Sequence, residues 1–409
     1  MGSEIQTIHL RLTPVINGTA KLLPASKSVS NRALIINALS GGSSELSNLS
    51  DANDTQLMLR LVKSAEKTID VEDAGTTMRF LTAYFTATNQ NKILTGTARM
   101  KERPIALLVE ALRSLGAEIK YLEKDGYPPH EIIRFKGQAL DQINIRGDVS
   151  SQYISALMMI APILPKGLTL NFLGKVGSRP YIEMTASIMK HFGANCELHP
   201  DRVIVPHQSY TPAAYTVESD WSAASYWFAL TALAREANIT LPRLHLHSLQ
   251  GDSVIMKIME SLGVKAEREN DLLKLSKTSS AHELTWDFTD CPDLAQTIAV
   301  VCAVKGIKGN FTGLESLRIK ETDRISALQN ELAKIGAKLI EHDSEHWTLE
   351  PSEQLPGSAS FKSYKDHRMA MAFAPLCTVM EVDIENPDVV RKSYPNFWND
   401  LREVGIQLT

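Results

Sequence analysis

The feature that most constrains the fold of this chain is a repeat of about 72 residues. One kind of helical segment opens on polar residues and then turns apolar; it begins near Ser28, Thr76, Ser150, Ser222, Leu294 and His367. From Thr76 onward the intervals between these starts are 74, 72, 72 and 73 residues. The first interval is only 48 residues, so the first unit is abbreviated. A regular period of this length is typical of a chain built from repeated supersecondary units.

A second kind of helical segment ends in an apolar-Gly-apolar phrase that leads into a strand. The five glycines are Gly116, Gly193, Gly263, Gly336 and Gly405. Glycine is the expected residue just past a helix end, where φ is positive. Each unit should therefore hold two helices and several short strands, which predicts an α/β protein. In the abbreviated unit, "DANDTQLMLRLVKSAEKTIDV" should supply the second helix and its strand.

The helix starts carry positive charge. The phrase "PASKSVSNRALI" predicts a helix from residue 29 to residue 39, with Ser28 and Ser30 as N-cap candidates. Lys27 and Arg32 crowd the same end. Because a helix N-terminus is already partly positive, cations there are unfavourable unless an anion binds.

Other helix starts repeat this pattern. They carry Arg79, Arg103, Arg179, Arg324, Arg368, Lys392 and the run Ser150-Ser151-Gln152. Proline lies close to the first helical position in three of them, at Pro104, Pro180 and Pro395. If the units pack by pseudo-symmetry, these ends converge on one cleft. Backbone N–H groups and arginine side chains would then bind several anionic groups of small molecules.

Composition excludes several classes of function. A chain of 409 residues predicts two domains, and a net charge of −4 argues against a general nucleic-acid binder. Four scattered cysteines without CxxC spacing favour reduced thiols in the cytoplasm. We expect neither a secretory signal nor a membrane span. Nucleotide-binding fingerprints are lacking, and "EHDSEHW" fits a strand, a turn and a strand better than a zinc site.

The assembled motifs resemble a known family. The segments "SKSVSNRAL", "RMKERPI", "VSSQY", "SRPYIE", "IKETDR", "DHRMAM" and "KSYP" occur in the order of the 5-enolpyruvylshikimate-3-phosphate synthase family of enolpyruvyl transferases and cover almost the whole chain. The resemblance implies a two-lobed inside-out α/β barrel of six βαβαββ-type units, three per lobe, which closes on its substrates. One lobe would span residues 25–219, and residues 1–24 and 220–409 would form the other.

The resemblance also implies a reaction. The enolpyruvyl group of phosphoenolpyruvate would pass to the 5-hydroxyl of shikimate 3-phosphate, with release of phosphate through a tetrahedral intermediate. This step leads to chorismate and the aromatic amino acids. The family needs no metal or organic cofactor and is usually monomeric, so we expect a cytoplasmic monomer with small-molecule substrates only.

Site residues carry over by position. The contacts to shikimate 3-phosphate would be Lys27, Ser28, Arg32, Ser150, Ser151, Gln152, Ser178, Tyr181, Asp293 and Lys320. The contacts to phosphoenolpyruvate would be Lys27, Asp73, Gly75, Thr76, Arg103, Gln152, Arg324, Arg368 and Lys392. Asp293 would be the base for the attacking hydroxyl. Glu321 and Lys27 are both acid/base candidates at the methylene carbon and the leaving phosphate, and the sequence leaves the division between them open.

Four positions depart from the family pattern. Asp73 stands where Asn is common, and its charge should be balanced by Arg79 or Arg99. Ser316 stands where Asn is common, which puts its contact with shikimate 3-phosphate in doubt. Thr77 and Phe80 replace smaller residues or proline and are expected to shift the helix after Gly75 and to alter tolerance to inhibitors.

Three rival functions are disfavoured. The sister transferase acting on UDP-N-acetylglucosamine has Lys-Asn where this chain has Lys27-Ser28, and commonly a cysteine in the loop that here reads "GTARMKERP". A non-catalytic sensor of phosphorylated metabolites would be expected to lack Asp293 or Glu321, and both are present. A nucleic-acid end-processing enzyme would need an aromatic-basic surface.

Overall fold

The computed structural model describes residues 6–147, 150–174 and 176–409; Val149 of the "VSSQY" motif lies outside them. The strands are β1 (Thr7–Leu10), β2 (Val15–Thr19), β3 (Leu46–Ser47), β4 (Thr68–Asp70), β5 (Lys92–Thr95), β6 (Ala117–Tyr121), β7 (His130–Phe135), β8 (Gln142–Arg146), β9 (Leu168–Leu173), β10 (Glu197–Leu198), β11 (Arg202–Val205), β12 (Tyr215–Thr216), β13 (Glu236–Pro242), β14 (Val264–Glu269), β15 (Leu272–Lys277), β16 (Glu283–Asp287), β17 (Lys308–Thr312), β18 (Lys338–Glu341), β19 (Trp347–Glu350), β20 (Ser358–Phe361) and β21 (Glu381–Glu385).

The helices alternate with these strands. They are α1 (Lys27–Leu39), α2 (Asn53–Leu61), α3 (Gly75–Ala87), α4 (Ala98–Lys101), α5 (Ala106–Ser114), α6 (Ser151–Ile160), α7 (Arg179–His191), α8 (Trp221–Leu233), α9 (Ile255–Ser261), α10 (Ala295–Val304), α11 (Arg324–Ala333), α12 (His367–Phe373) and α13 (Phe397–Glu403). Short 3₁₀ segments include Gly251–Val254, Pro292–Leu294, Glu315–Ile319 and Pro387–Lys392. The predicted α/β class is confirmed.

Four sheets share one strand order, which is the structural form of the repeat. The orders are β4-β5-β7-β6, β8-β9-β11-β10, β2-β13-β15-β14 and β16-β17-β19-β18. In each sheet the first two strands are parallel and the other two pairs are antiparallel. In three of these sheets one helix (α3, α6 or α10) joins the parallel pair, because a parallel crossover needs a dozen or more residues. In the third sheet, residues 20–235 separate β2 from β13.

The remaining two sheets are variations on this order. Strands β20 and β21 are parallel, and β1 from the start of the chain adds antiparallel to β21. Strands β3 and β12 form a parallel pair only, which is the abbreviated unit. One expectation was wrong: the strand after α2 does not complete that unit, since β4 pairs with β5 of the following sheet.

The helix starts fall where the repeat predicts them. The first-type helices α1, α3, α6, α8, α10 and α12 begin within one residue of the predicted positions. The predicted cap of α1 was wrong: Ser26, not Ser28 or Ser30, accepts the hydrogen bond from the Val29 amide. The helix therefore begins at Lys27, and both cations lie inside it with no acidic residue in its first turn.

Glycine ends the second-type helices, as predicted. The five glycines of the repeat have φ values of 111°, 83°, 92°, 81° and 99° in chain order. The "EHDSEHW" segment is the predicted strand, turn and strand, formed by β18 and β19. Among the described residues, no helix is both long enough and apolar enough for a membrane crossing.

The chain divides into two compact units. Unit 1 comprises the described residues up to Ala25, together with Asp51–Asn53 and Glu218–Thr409, and unit 2 comprises Ser26–Ser50 and the described part of Asp54–Val217. In unit 2 helices α1, α3, α6 and α7 pack on one another, and in unit 1 helices α8, α10 and α12 do so. Helices α8 and α10 are apolar on most faces because they lie at the centre of the unit 1 core. Met369 and Met371 are fully buried core residues, as expected.

Candidate active site

In unit 2 the first turns of three helices meet at Asp54. Lys27, the first residue of α1, donates a hydrogen bond of 3.2 Å from Nζ to Oδ2 of Asp54 in α2. The hydroxyl of Thr77 in α3 donates to the backbone carbonyl of Asp54 at 3.4 Å. Asp54 is buried, so it holds the ammonium group of Lys27 at the helix tips. The sequence reasoning missed Asp54, because nothing local marks which acid of "DAND" faces a lysine in another helix.

Arg32 lies deeper in the same helix group. Its Nε donates to Thr185 at 2.7 Å, and Nη2 donates to Ser155 at 3.0 Å. Nη1 donates to the carbonyl of Ser28 at 2.9 Å. Burial lowers the pKa of Arg32 to about 10, and Tyr181 partly opposes that shift. The guanidinium therefore ties α1 to α6 and α7, and its predicted contact with substrate stays a prediction.

Arg103 lies directly against Gly75. A Cβ added at Gly75 would fall 2.6 Å from Nη1 and 2.7 Å from Nη2 of Arg103. The side chain is buried, and its Nε has no hydrogen-bond partner. Within the described residues Arg103 has no acidic partner. A buried guanidinium without a counter-ion is unfavourable, so this place in unit 2 favours a bound anion.

The start of α6 lies beside the start of α3. Ser150 caps α6 by accepting from the amide of Gln152 at 3.4 Å. The side-chain amide of Gln152 donates to the hydroxyl of Thr76 at 3.1 Å. Ser151 is buried in the first turn. Together with Arg103 and Lys27, these groups form what we call the unit 2 cluster: helix N-termini, hydroxyls, an amide and cations.

Two further predicted residues begin α7. Ser178 occupies the N-cap position in the left-handed region, with φ 53° and ψ 39°. The ring of Tyr181 lies 5.8 Å from the Arg32 guanidinium carbon. Phe80, one of the departures from the family pattern, lies on the same guanidinium at 5.3 Å. Phe80 therefore fills space against Arg32 inside unit 2.

Of the other departures, Asp73 lies two residues before the start of α3 in unit 2, and Ser316 lies in unit 1. Arg79 donates to the carbonyls of Gly75 at 3.1 Å and Pro104 at 2.9 Å. Arg99 pairs with Glu102 at 3.0 Å. The compensation of Asp73 by either arginine stays a prediction. Ser316 is exposed on the 3₁₀ segment Glu315–Ile319 of unit 1.

Unit 1 holds a second cluster, centred on Arg324. This side chain is 1% exposed. Its Nε donates to Asp366 at 2.7 Å, Nη1 to Asp293 at 3.0 Å, and Nη2 to Glu321 at 2.7 Å. Asp366 also caps α12 by accepting from the amide of Arg368 at 2.9 Å. The residues that precede α10 and α12 are therefore joined to the start of α11 through one guanidinium.

Asp293 lies between two arginines. Besides the contact with Arg324, its Oδ2 lies 2.7 Å from Nη2 of Arg368. Burial raises the pKa of Asp293, but the charges of Arg368, Lys320 and Arg324 outweigh it, so the pKa lies well below the usual range. Such a carboxylate is fully ionised and a weak base while both arginines hold it.

The remaining predicted residues complete the unit 1 cluster. Lys392 lies 3.7 Å from Glu321 and is buried. The structure brings together Asp293, Glu321, Arg324, Arg368 and Lys392, and Lys320 acts on Asp293 through its charge. Sequence reasoning missed Asp366 and Tyr226, whose hydroxyl lies 3.4 Å from Nη1 of Arg368. A signal for Asp366 existed, since Asp before a helix start is a typical N-cap.

Among residues 6–147, 150–174 and 176–409, His, Cys, Asp and Glu form no set of three or more that could hold a metal. His342 shares a hydrogen bond of 2.8 Å with Thr348, and His346 lies 2.9 Å from Asp343. The four cysteines are free thiols, three of them buried.

Comparison with known proteins identifies what the chain is similar to. A family model described as EPSP synthase (3-phosphoshikimate 1-carboxyvinyltransferase) matches residues 13–73 and 63–401. A 3-phosphoshikimate 1-carboxyvinyltransferase of Bacteroides fragilis is 50% identical over 392 residues, covering 94% of each chain. The enzyme of that name from Sodalis glossinidius is 36% identical over 436 residues, covering 96% of each. A structure of EPSP synthase from Acinetobacter baumannii superposes with a TM-score of 0.80 over 99% of this chain and 100% of that one; at 18% identity this likeness concerns the fold.

Proposed function

Because this chain belongs to the EPSP synthase (3-phosphoshikimate 1-carboxyvinyltransferase) family, we propose that its two polar clusters carry out that family's reaction with divided roles. The enzyme transfers the enolpyruvyl group of phosphoenolpyruvate to the 5-hydroxyl of shikimate 3-phosphate and releases phosphate, a step of the shikimate pathway. One observation supports the residue assignment: in each unit, several helix N-termini lie close to cationic side chains.

Unit 2 supplies most contacts to shikimate 3-phosphate. Hydroxyls and amides on helix starts suit phosphate oxygens and ring hydroxyls, and the unit 2 cluster is made of these groups. The contacts assigned there are Lys27, Ser28, Arg32, Ser150, Ser151, Gln152, Ser178 and Tyr181. Asp293 and Lys320 of unit 1 bind the ring hydroxyls of the same substrate.

Phosphoenolpyruvate, with a carboxylate and a phosphate, requires guanidinium and ammonium groups. Its contacts are Lys27, Asp73, Gly75, Thr76, Arg103, Gln152, Arg324, Arg368 and Lys392. Support comes from Arg103, whose buried side chain lacks an acidic partner among the described residues. Gly75 lets this guanidinium lie against the start of α3, since any Cβ would displace it.

Asp293 removes the proton of the attacking hydroxyl. Held by Arg324 and Arg368, it is a weak base until those cations have another anion to bind. The carboxylate or phosphate of phosphoenolpyruvate competes for them, which weakens their hold on Asp293 and raises its pKa. The base is therefore activated by the arrival of the second substrate.

The remaining proton transfers follow from the bonds that form and break in the reaction. The 5-hydroxyl oxygen of shikimate 3-phosphate bonds to C2 of phosphoenolpyruvate, and the methylene carbon of phosphoenolpyruvate gains a proton. The product of this step is the tetrahedral adduct. Loss of a proton from the resulting methyl group and cleavage of the bond to the phosphate oxygen complete the transfer. Glu321 and Lys27 share these acid and base roles, and the arginines orient and stabilise charge.

The experiment that tests this function measures phosphate release from purified protein with each substrate omitted in turn. Release is expected only when shikimate 3-phosphate and phosphoenolpyruvate are both present. Release that continues without shikimate 3-phosphate would contradict the assignment.

The chain is further proposed to act as a cytoplasmic monomer. Its free, mostly buried cysteines suit a reducing compartment. Light scattering at micromolar concentration should give the mass of one 45.2 kDa chain, and a dimer mass would overturn the monomer.

A further inference from the structure

A buried carboxyl group that the mechanism above does not use lies in unit 1, at Asp252. It belongs to the 3₁₀ segment Gly251–Val254 and is 2% exposed. Ser222, in the first turn of α8, donates a hydrogen bond to its Oδ2. Its Oδ1 is buried and has no hydrogen-bond partner.

The segment that carries Asp252 is held firmly against α8. The side chain of Gln250 accepts from the amide of Trp221 at 3.1 Å and donates to the carbonyl of Ser219 at 2.9 Å. Both flanking contacts are buried. Asp252 therefore keeps its place beside the start of α8 and cannot turn to water for its missing hydrogen bond.

The groups around Asp252 come from three directions. Asp220 lies at the start of α8, Cys291 and Asp293 precede α10, and Arg368 begins α12; each of them interacts electrostatically with Asp252. Arg368 is the cation among these groups, and Asp293 already holds it at 2.7 Å. An ionised carboxylate with one donor and two acidic neighbours is unfavourable in a buried place. Burial first, and the charge of Asp293 second, raise the pKa of Asp252 to about 7.

We propose that Asp252 is a positioning residue for phosphoenolpyruvate, which acts in its protonated form by leaving the charge of Arg368 available to the substrate. This inference rests on the proposed role of Arg368 in binding phosphoenolpyruvate. When Asp252 loses its proton, a second negative charge acts on Arg368. Affinity for an anionic substrate then falls.

The proposal predicts that pH affects the KM for phosphoenolpyruvate and the kcat differently. As the pH rises from about 6 to about 9, the KM for phosphoenolpyruvate should rise about tenfold, because a new negative charge develops near its binding group. The kcat should not fall in parallel, since a negative neighbour raises the pKa of Asp293 and makes it a better base.

Three variants test the proposal through pH profiles of kcat and KM. Asp252→Asn keeps the shape of the protonated side chain and should abolish the alkaline rise in KM. Ser222→Ala removes a hydrogen bond that lowers the pKa of Asp252, so the rise should move to higher pH. Ser225→Ala is the matched control: it lies on the same helix and donates to the carbonyl of Ser222, and its profile should equal that of the wild type. Ionisation of the substrates is common to all four proteins and cancels in the comparison.

Two results would overturn the proposal. One is an alkaline rise in KM that persists unchanged in Asp252→Asn; the other is a KM raised equally at every pH in that variant, which would mean that the charge itself is needed. If Asp252→Asn does not fold, the Ser222→Ala profile decides, and an unshifted midpoint contradicts the proposal. Failure of the proposed function is distinct, because the wild type would then release no phosphate from the two substrates.

Discussion

Oδ2 of Asp293 lies 2.7 Å from Nη2 of Arg368. In the proposed function, Asp293 removes a proton and Arg368 binds an anion. Before substrate arrives, however, the two side chains pair with each other. This pairing lets the two charges compensate each other in unit 1, and under the proposed roles it makes the strength of the base depend on phosphoenolpyruvate.

Replacement of Gly75 by alanine should weaken binding of phosphoenolpyruvate. The added Cβ would lie within 2.8 Å of three atoms of the Arg103 guanidinium, so that group must move. Loss of one charged hydrogen bond predicts a KM increase of about 10- to 100-fold, measured by steady-state phosphate release. Gly357→Ala is the control, because nothing lies within 4 Å of its Cβ. An unchanged KM in Gly75→Ala would mean that Arg103 does not bind this substrate.

Asp366→Asn should destabilise unit 1. Asp366 is fully buried, pairs with Arg324 at 2.7 Å and caps α12 through the Arg368 amide. Breaking a buried ion pair costs about 3–5 kcal/mol, which urea unfolding would detect. The exposed pair of Asp383 with His9 offers a control, since Asp383→Asn should change the free energy of unfolding by at most about 1 kcal/mol. Equal effects of the two substitutions would contradict the central role of Asp366.

Asp252→Asn should stabilise the protein at neutral and alkaline pH. The pKa of Asp252 is about 7 in the folded state against 3.8 as the ordinary value. The folded state therefore binds more protons than the unfolded state between these values, and stability falls as the pH rises through that window. Asparagine does not titrate, so its advantage should grow from about pH 4 to about pH 7 and then level off, at about 4 kcal/mol as an upper bound.

Urea unfolding of both proteins at several pH values gives this difference directly. A difference between Asp252→Asn and wild type that is constant across the range would show that Asp252 does not titrate with a raised pKa. A difference of opposite sign at pH 8 would show that the ionised form is stabilised in the folded state.

Much of the fold was predictable because it depends on local rules. Helix starts follow from polar residues ahead of apolar runs, and helix ends follow from glycine at positive φ, as at Gly116 and Gly336. The cap of α1 was misplaced by two residues because three serines lie within five positions and only the path of the chain decides between them. The strand after α2 was assigned to the wrong unit because β-pairing joins distant segments, which periodicity does not report.

The site residues also divide into those that the sequence indicates and those that only the folded structure reveals. The cations at helix starts were recognisable in the sequence, because a positive charge at a helix N-terminus is unfavourable unless an anion binds there. Asp54 and Asp252 were not recognisable in the sequence, because the role of each depends on a partner in another helix. The partner is Lys27 for Asp54 and Ser222 for Asp252. A buried acid cannot be distinguished from a surface acid by its immediate neighbours in the sequence.

The most direct test of the account is the Asp293→Asn variant, assayed for turnover and, by calorimetry, for binding of both substrates. A lost general base predicts a fall in kcat of about 10²- to 10⁴-fold. Binding of phosphoenolpyruvate should be as tight as in wild type or tighter, because Arg324 and Arg368 lose the carboxylate that competes for them. Asp290→Asn, on the exposed turn just before the site, should leave both quantities unchanged. Near-normal kcat in Asp293→Asn, or strongly weakened binding of phosphoenolpyruvate, would contradict the account.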